Sequence, residues 1–283
     1  MTGLLKTRLR KAAALALGQV PRDGPHFFIV GATRSGTTWL HHALRQHPDI
    51  FMPHAKELAY FNRDQLYRPD LGGYRSRFWG YRGERVVGEA TPLYMTAGAA
   101  YDAEGRYRHD CGEDAVARIA RHFPDARLIV SLRDPATRIF SMFEKDLRQR
   151  KFAGRLEEDL EHELAQGRSR LNFVYHNRYK LHLERLFAHF PREHVLILVF
   201  EEWRDDPAPA LARIHHFLGL EPCPAEAPHR EAKNRRERYG DIDEATVERL
   251  GSVSDEIMAK VLRRLRPSRD YLETLLGRSL PWR

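Results

Sequence analysis

The first apolar run long enough to be buried on both sides is His26-Phe27-Phe28-Ile29-Val30, closed by Gly31. Its aromatic and β-branched content and the glycine stop predict a buried parallel strand. From Thr37 to Gln46 the spacing becomes helical, with Trp39, Leu40, Ala43 and Leu44 on one side and His47-Pro48 as the stop. The alternation then returns. Ala126 to Leu132 reads as a strand that runs into Arg133-Asp134-Pro135 and a helix from Arg138 to Arg150. An amphipathic helix from Tyr179 to Phe190 precedes a strand from His194 to Phe200. Val86 to Glu89 is a shorter strand leading to Thr91-Pro92, and Arg204 to Pro209 is a polar turn before a helix from Ala210 to Leu218. Glu221 to Lys233 reads as a proline-containing loop and Ile242 to Leu276 as a mostly helical tail. Strands alternating with helices predict an α/β fold, a single domain with a central parallel sheet flanked by helices.

Composition narrows this only a little. The chain has 283 residues, enough for one sizeable domain over residues 23–283 and short for two. With 42% hydrophobic and 30% charged residues, it is neither disordered nor membrane-embedded in character. Residues 1–22 carry Lys6, Arg8, Arg10 and Lys11 before an apolar run, Ala12 to Leu17, that is too short to cross a bilayer. They read as a basic amphipathic segment, with peripheral membrane contact the lesser alternative. Cys111 and Cys223 are the only cysteines, which excludes a disulfide framework or a cysteine zinc site and fits a reducing, cytoplasmic setting. A formal charge of +8 favours polyanionic partners. Nucleic acid, anionic lipid, a sulfated sugar and a multiply phosphorylated cofactor all satisfy it, as does a functionally neutral arginine-rich surface.

The chemistry is sharper. Gly31-Ala32-Thr33-Arg34-Ser35-Gly36-Thr37-Thr38 follows a strand and opens a helix, the arrangement that aims backbone N–H groups and the positive helix end at a phosphate. It departs from the nucleotide triphosphatase loop where it counts: Thr37 stands in the lysine position, and the basic residue lies upstream at Arg34. The strand ending at Leu132 offers Arg133 first, where a magnesium-holding aspartate would be needed. This reads as a phosphate site without a metal. His41-His42 and His215-His216 lie on helical segments without metal-ligand spacing.

The loop resembles the 5′-phosphosulfate loop of sulfotransferases that use 3′-phosphoadenosine-5′-phosphosulfate (PAPS), where a basic residue and a small residue precede Gly-Thr-Thr. The resemblance implies a P-loop-like sulfotransferase fold, with Arg34, Ser35, Gly36, Thr37 and Thr38 binding the donor's 5′-phosphosulfate. Arg133 and Ser141, eight apart, match the pair that binds the 3′-phosphate in that family. Lys56-Glu57-Leu58-Ala59-Tyr60-Phe61 resembles a segment of the carbohydrate sulfotransferases related to heparan sulfate modification, which implies Glu57 as general base. His54, two residues before Lys56, is the alternative base. Glu89-Ala90-Thr91-Pro92-Leu93-Tyr94 resembles the element beside the acceptor, with Ala90 in place of the family's lysine. Arg34 then carries more of the charge on the leaving oxygen.

A basic loop that closes over the 3′-phosphate and adenine is implied near Lys233, Arg235 and Arg236. Lys233 with Arg235 fits one register and Arg238 with Tyr239 another. The implied activity is direct transfer of a sulfuryl group from PAPS to a hydroxyl or amine of a glycan or hydroxylated small molecule. It leaves adenosine 3′,5′-bisphosphate and uses neither metal nor nucleic acid. The competing readings are a nucleotide kinase or triphosphatase on the same loop, and a non-catalytic polyanion-binding module.

Overall fold

The computed structural model describes residues 20–21, 23–98, 100–101, 107–108, 114–149, 153–169, 171–225 and 243–282. In chain order the elements begin with β1 (Phe27–Gly31), α1 (Thr37–Leu44), β2 (Ile50–Phe51), α2 (Gly72–Arg75) and β3 (Val86–Ala90). A small antiparallel pair follows, β4 (Ala100–Tyr101) with β5 (Tyr107–Arg108), then α3 (Ala115–His122) and β6 (Arg127–Leu132). Next come α4 (Pro135–Arg148), α5 (Leu156–Gln166), α6 (Phe173–His176), α7 (Tyr179–Phe187) and β7 (Val195–Val199). The chain continues through α8 (Phe200–Trp203), α9 (Ala208–Phe217), α10 (Glu244–Gly251) and α11 (Asp255–Leu276).

Described residues within 1–132 and 185–227 form one compact unit, and those within 133–184 and 228–283 form another. The first holds the sheet, in the order β2-β3-β1-β6-β7 with every pairing parallel. All five residues of β1 are buried, which is why its sequence is apolar throughout instead of alternating. From β1 the chain first builds one side of the sheet, β2 and β3, and then crosses to the other, β6 and β7. That makes the carboxyl end of β1 the topological switch point, where ligands of open α/β sheets bind. Helices pack on the sheet through Leu40, Leu44, Leu211 and Ile214, which join Ile29 and Ile129 in one core. The α/β class and the parallel sheet flanked by helices are as the alternation predicts.

The second unit has its own core, in which Ile139, Phe143, Leu156, Leu160, Phe173 and Val261 meet. Helix α5 lies in a stretch the apolar pattern does not announce, because its Leu156 and Leu160 stripe is masked by a string of acids. Two of those acids, Asp159 and Glu163, are themselves buried, and Glu163 accepts the Val174 N–H at 2.8 Å and the Tyr175 N–H at 2.6 Å. Helix α4 starts at Pro135 rather than Arg138, since Asp134 caps it by accepting from the Thr137 N–H at 2.9 Å and proline suits the first turn. Helix α9 likewise begins earlier than expected, at Ala208. Helix α7 ends at Phe187 instead of Phe190, and β7 stops at Val199 because Phe200 already opens α8. Helix α3, which the apolar pattern does not announce, is capped by Asp114 and interleaves basic residues with Val116 and Ile119. No helix among the described residues is long and apolar enough to cross a membrane.

Candidate functional site

The loop from Ala32 to Gly36 leaves β1 at the switch point and turns into α1. Ala32 donates its N–H to the Ser131 carbonyl at 2.7 Å, which ties the loop to β6. Arg34 and Gly36 both have left-handed backbones, with φ of 66° and 78°. For arginine that conformation costs on the order of 1–3 kcal/mol and persists only where the surroundings enforce it. Left-handed residues alternating with an ordinary one curl successive amides toward a common point, the geometry of an anion nest.

Gly36 caps α1 and, as a glycine, supplies no side-chain bond to the helix's first N–H groups. A Cβ on Gly36 would collide with the Trp203 ring and come within 2.9 Å of Phe200. Trp203 in turn packs at a tilt against Trp39, 5.6 Å between centroids, and donates its Nε1–H to Ser131 Oγ at 3.2 Å. The loop therefore rests on an aromatic floor. Trp203 is a positioning residue that no motif in the sequence singles out. Its signal was a tryptophan four residues past the end of β7.

Ser35 is wholly buried, and its Oγ has no hydrogen-bond partner among the described residues. A buried hydroxyl is costly to leave unpaired. Inside a loop of this shape, an anion's oxygen is the partner that would satisfy it. The residues present therefore fit a bound phosphate or phosphosulfate, with Arg34 supplying positive charge in the same turn.

The second group lies on the neighbouring strand. Ile29 of β1 pairs with Ala90 at the end of β3, and the Ala90 carbonyl accepts the Glu57 N–H at 2.9 Å. Glu57 thus stands at the same carboxyl edge of the sheet as the loop. Its backbone is left-handed too, φ 62°, and its side chain is 54% exposed, open to a partner from solution. Lys56 Nζ lies 2.9 Å from Glu57 Oε1. That supplies a cation near the Ala90 position, where the family's lysine is missing. His54 is less suited to proton removal, since Arg45 donates to its Nδ1 at 2.7 Å and so leaves the ring proton on Nε2.

Beneath Glu57 sits a buried acid. Glu89 on β3 is 1% exposed. It accepts from the Thr91 hydroxyl at 2.6 Å and the Tyr74 hydroxyl at 2.7 Å, with the Tyr94 hydroxyl beside it. Burial pushes its carboxyl up to about 7, and the three hydroxyls pull the other way.

Arg133 and Ser141 belong to the second unit. Arg133 donates from Nε to Thr137 Oγ1 at 3.1 Å, and its carbonyl accepts the Tyr179 hydroxyl at 2.7 Å. Thr137 and Ser141 are four residues apart on α4 and share a face. The guanidinium is thereby directed along the face that carries the Ser141 hydroxyl. Asp134 is used as the helix cap through Oδ1. Lys233, Arg235 and Arg236, together with Arg238 and Tyr239, lie outside the described residues. Among the described residues, no group of three or more His, Cys, Asp or Glu side chains could hold a metal.

A parallel α/β sheet with a left-handed, glycine-bearing loop at its switch point, its charge an arginine, fits the class of α/β proteins that hold a phosphate at that position. Comparison with known proteins narrows that class to one family. The sulfotransferase domain family matches residues 24–238, and the chain belongs to it. Human heparan sulfate glucosamine 3-O-sulfotransferase 3A1 is 28% identical over 260 residues, covering 84% of this chain and 60% of the human protein. Mouse bifunctional heparan sulfate N-deacetylase/N-sulfotransferase 4 is 26% identical over 211 residues, covering 70% of this chain and 22% of its own length. The chain thus spans about three fifths of the first of these relatives and about a fifth of the second. Among solved structures, a sulfotransferase from Alicyclobacillus acidocaldarius superposes with a TM-score of 0.67 at 25% identity, covering 91% of this chain and 97% of that one.

Proposed function

We propose that this chain transfers the sulfuryl group of PAPS to a hydroxyl or amine of a glycan or hydroxylated small molecule. In the transfer, the acceptor oxygen or nitrogen bonds to sulfur, its proton leaves to a base, and the bond from sulfur to the 5′-phosphate oxygen breaks to release adenosine 3′,5′-bisphosphate. Glu57 is the base: its carboxylate is exposed at the sheet edge that carries the loop, and Lys56 pairs with it at 2.9 Å. Arg34, the Ser35 hydroxyl and the amides of Gly36, Thr37 and Thr38 hold the 5′-phosphosulfate and stabilise charge on the leaving oxygen. Arg133 and Ser141 hold the 3′-phosphate, and Lys233, Arg235 and Arg236 add to its charge neutralisation. Heparan sulfate relatives support a glycan as the first acceptor to try.

The observation that carries this reading is the meeting of two features at one sheet edge: an anion loop whose buried serine hydroxyl is unpaired among the described residues, and a carboxylate held by the adjacent strand. Incubation with PAPS and a panel of glycan and small-molecule acceptors, followed by mass spectrometry, tests it. The wild-type chain adds a sulfate to at least one acceptor. Glu57→Gln binds adenosine 3′,5′-bisphosphate unchanged but turns over on the order of 10²–10⁴ times more slowly. Wild-type turnover in that variant removes Glu57 from the role.

A further inference from the structure

Glu89 lies one residue before Ala90 and exposes none of its carboxylate chemistry to an acceptor, yet it gathers three hydroxyl groups. Two of those hydroxyls face in two directions. Thr91 Oγ1 donates to Glu89 Oε1 at 2.6 Å and accepts the Ala59 N–H at 3.2 Å. The Tyr94 hydroxyl lies beside Glu89 and accepts the Tyr60 N–H at 2.9 Å and the Phe61 N–H at 3.4 Å. Each hydroxyl has a single proton. Given to the carboxylate, that proton leaves the lone pairs turned toward the backbone of residues 59–61. The same backbone, two residues earlier, carries Glu57 in its left-handed conformation, and Ala59 is left-handed as well, φ 51°.

We infer that Glu89 is a positioning residue for the transfer: through Thr91 and Tyr94 it clamps the segment from Glu57 to Phe61, and so fixes the base against β3. The inference rests on the reading of Glu57 as base for its catalytic consequence, though the clamp itself does not. A neutral partner cannot do the same work. The carboxylate accepts from every hydroxyl, whereas an amide in its place presents one oxygen and one NH₂. The NH₂ donates to a hydroxyl that then turns its own proton onto a backbone N–H.

The test is amide hydrogen exchange at pH 8, followed by NMR, on the full chain and on Glu89→Gln, Thr91→Val and Tyr94→Phe. In Glu89→Gln the amides of Ala59, Tyr60 and Phe61 exchange at least about tenfold faster, while those of Ile29 and Ile129 in the sheet stay as they were. Tyr94→Phe speeds Tyr60 and Phe61 alone, and Thr91→Val speeds Ala59 alone. These two variants carry the test if Glu89→Gln does not fold. Labelled PAPS with a de-O-sulfated heparan chain supplies the second readout, a kcat lowered in Glu89→Gln with the affinity for adenosine 3′,5′-bisphosphate unchanged. Unaltered exchange at residues 59–61 in all three variants overturns the clamp. Faster exchange together with full turnover in Glu57→Gln leaves the clamp standing and overturns the assignment of the base instead.

Discussion

At the scale of single residues, the account turns on backbone conformations that a side chain resists. Arg34, Gly36 and Glu57 all sit at positive φ, and they cluster where the chemistry is placed. Strain of this kind is kept only where the surroundings enforce it. Gly36 is the position with least tolerance, because a methyl group there meets both the left-handed penalty and the Trp203 ring. Gly36→Ala is expected to lower the unfolding free energy by about 2–4 kcal/mol. It should also abolish binding of adenosine 3′,5′-bisphosphate, as read by denaturant titration and calorimetry. Gly36→Ala combined with Trp203→Leu relieves the collision with the Trp203 ring but not the backbone penalty, so it should cost less than the sum of the two single substitutions.

At the scale of elements, the strand-loop-helix units do the positioning, and they were the most legible part of the sequence. Continuous apolar runs gave away β1, β6 and β7, since a strand buried on both faces has no polar alternation to confuse it. The loop was legible because glycine, a basic residue and paired threonines occupy fixed places between a strand and a helix. What stayed hidden has a common cause, polar residues turned inward. Helix α5 buries Asp159 and Glu163, helix α3 buries Arg118, and Glu89 reads as a strand-end acid until three hydroxyls are found around it. The floor under the loop was hidden for another reason: Trp203 reaches Gly36 from far along the chain, a contact no local pattern encodes. On α4 the alignment of Arg133, Thr137 and Ser141 yields a prediction. Thr137→Val removes the acceptor for Arg133 Nε, which corresponds to about 1 kcal/mol and thus about fivefold weaker binding of adenosine 3′,5′-bisphosphate. Thr137 is exposed, so its stability should hardly change, and Thr137→Ser should bind as the wild type does.

At the scale of the whole molecule, buried titratable groups set how stability responds to pH, and they pull in opposite directions. Burial holds His41 and His215 down to about 4, so as pH falls below 6.5 the unfolded chain takes up protons before the folded one and stability is lost. Burial lifts Glu89 and Glu163 to about 7, so between 7 and 4.5 the folded chain binds the extra protons and stability is gained. The two effects offset each other across their shared window. His41 donates Nε2–H to the Pro53 carbonyl at 3.0 Å, a bond a glutamine amide can imitate. His41→Gln should therefore differ from the wild type by a constant amount above about pH 6.5 and gain relative stability toward pH 4, measured by urea unfolding at several pH values. A difference that does not change with pH would mean that His41 is not the buried neutral histidine described.

The central claim is that the turn after β1 binds the nucleotide end of a sulfuryl donor with amides, a serine hydroxyl and a guanidinium. Isothermal titration of the full chain with adenosine 3′,5′-bisphosphate, with and without a magnesium chelator, tests it most directly. The account predicts saturable one-to-one binding that the chelator leaves unchanged and that Gly36→Ala removes. No binding, or binding only when magnesium is supplied, would contradict it.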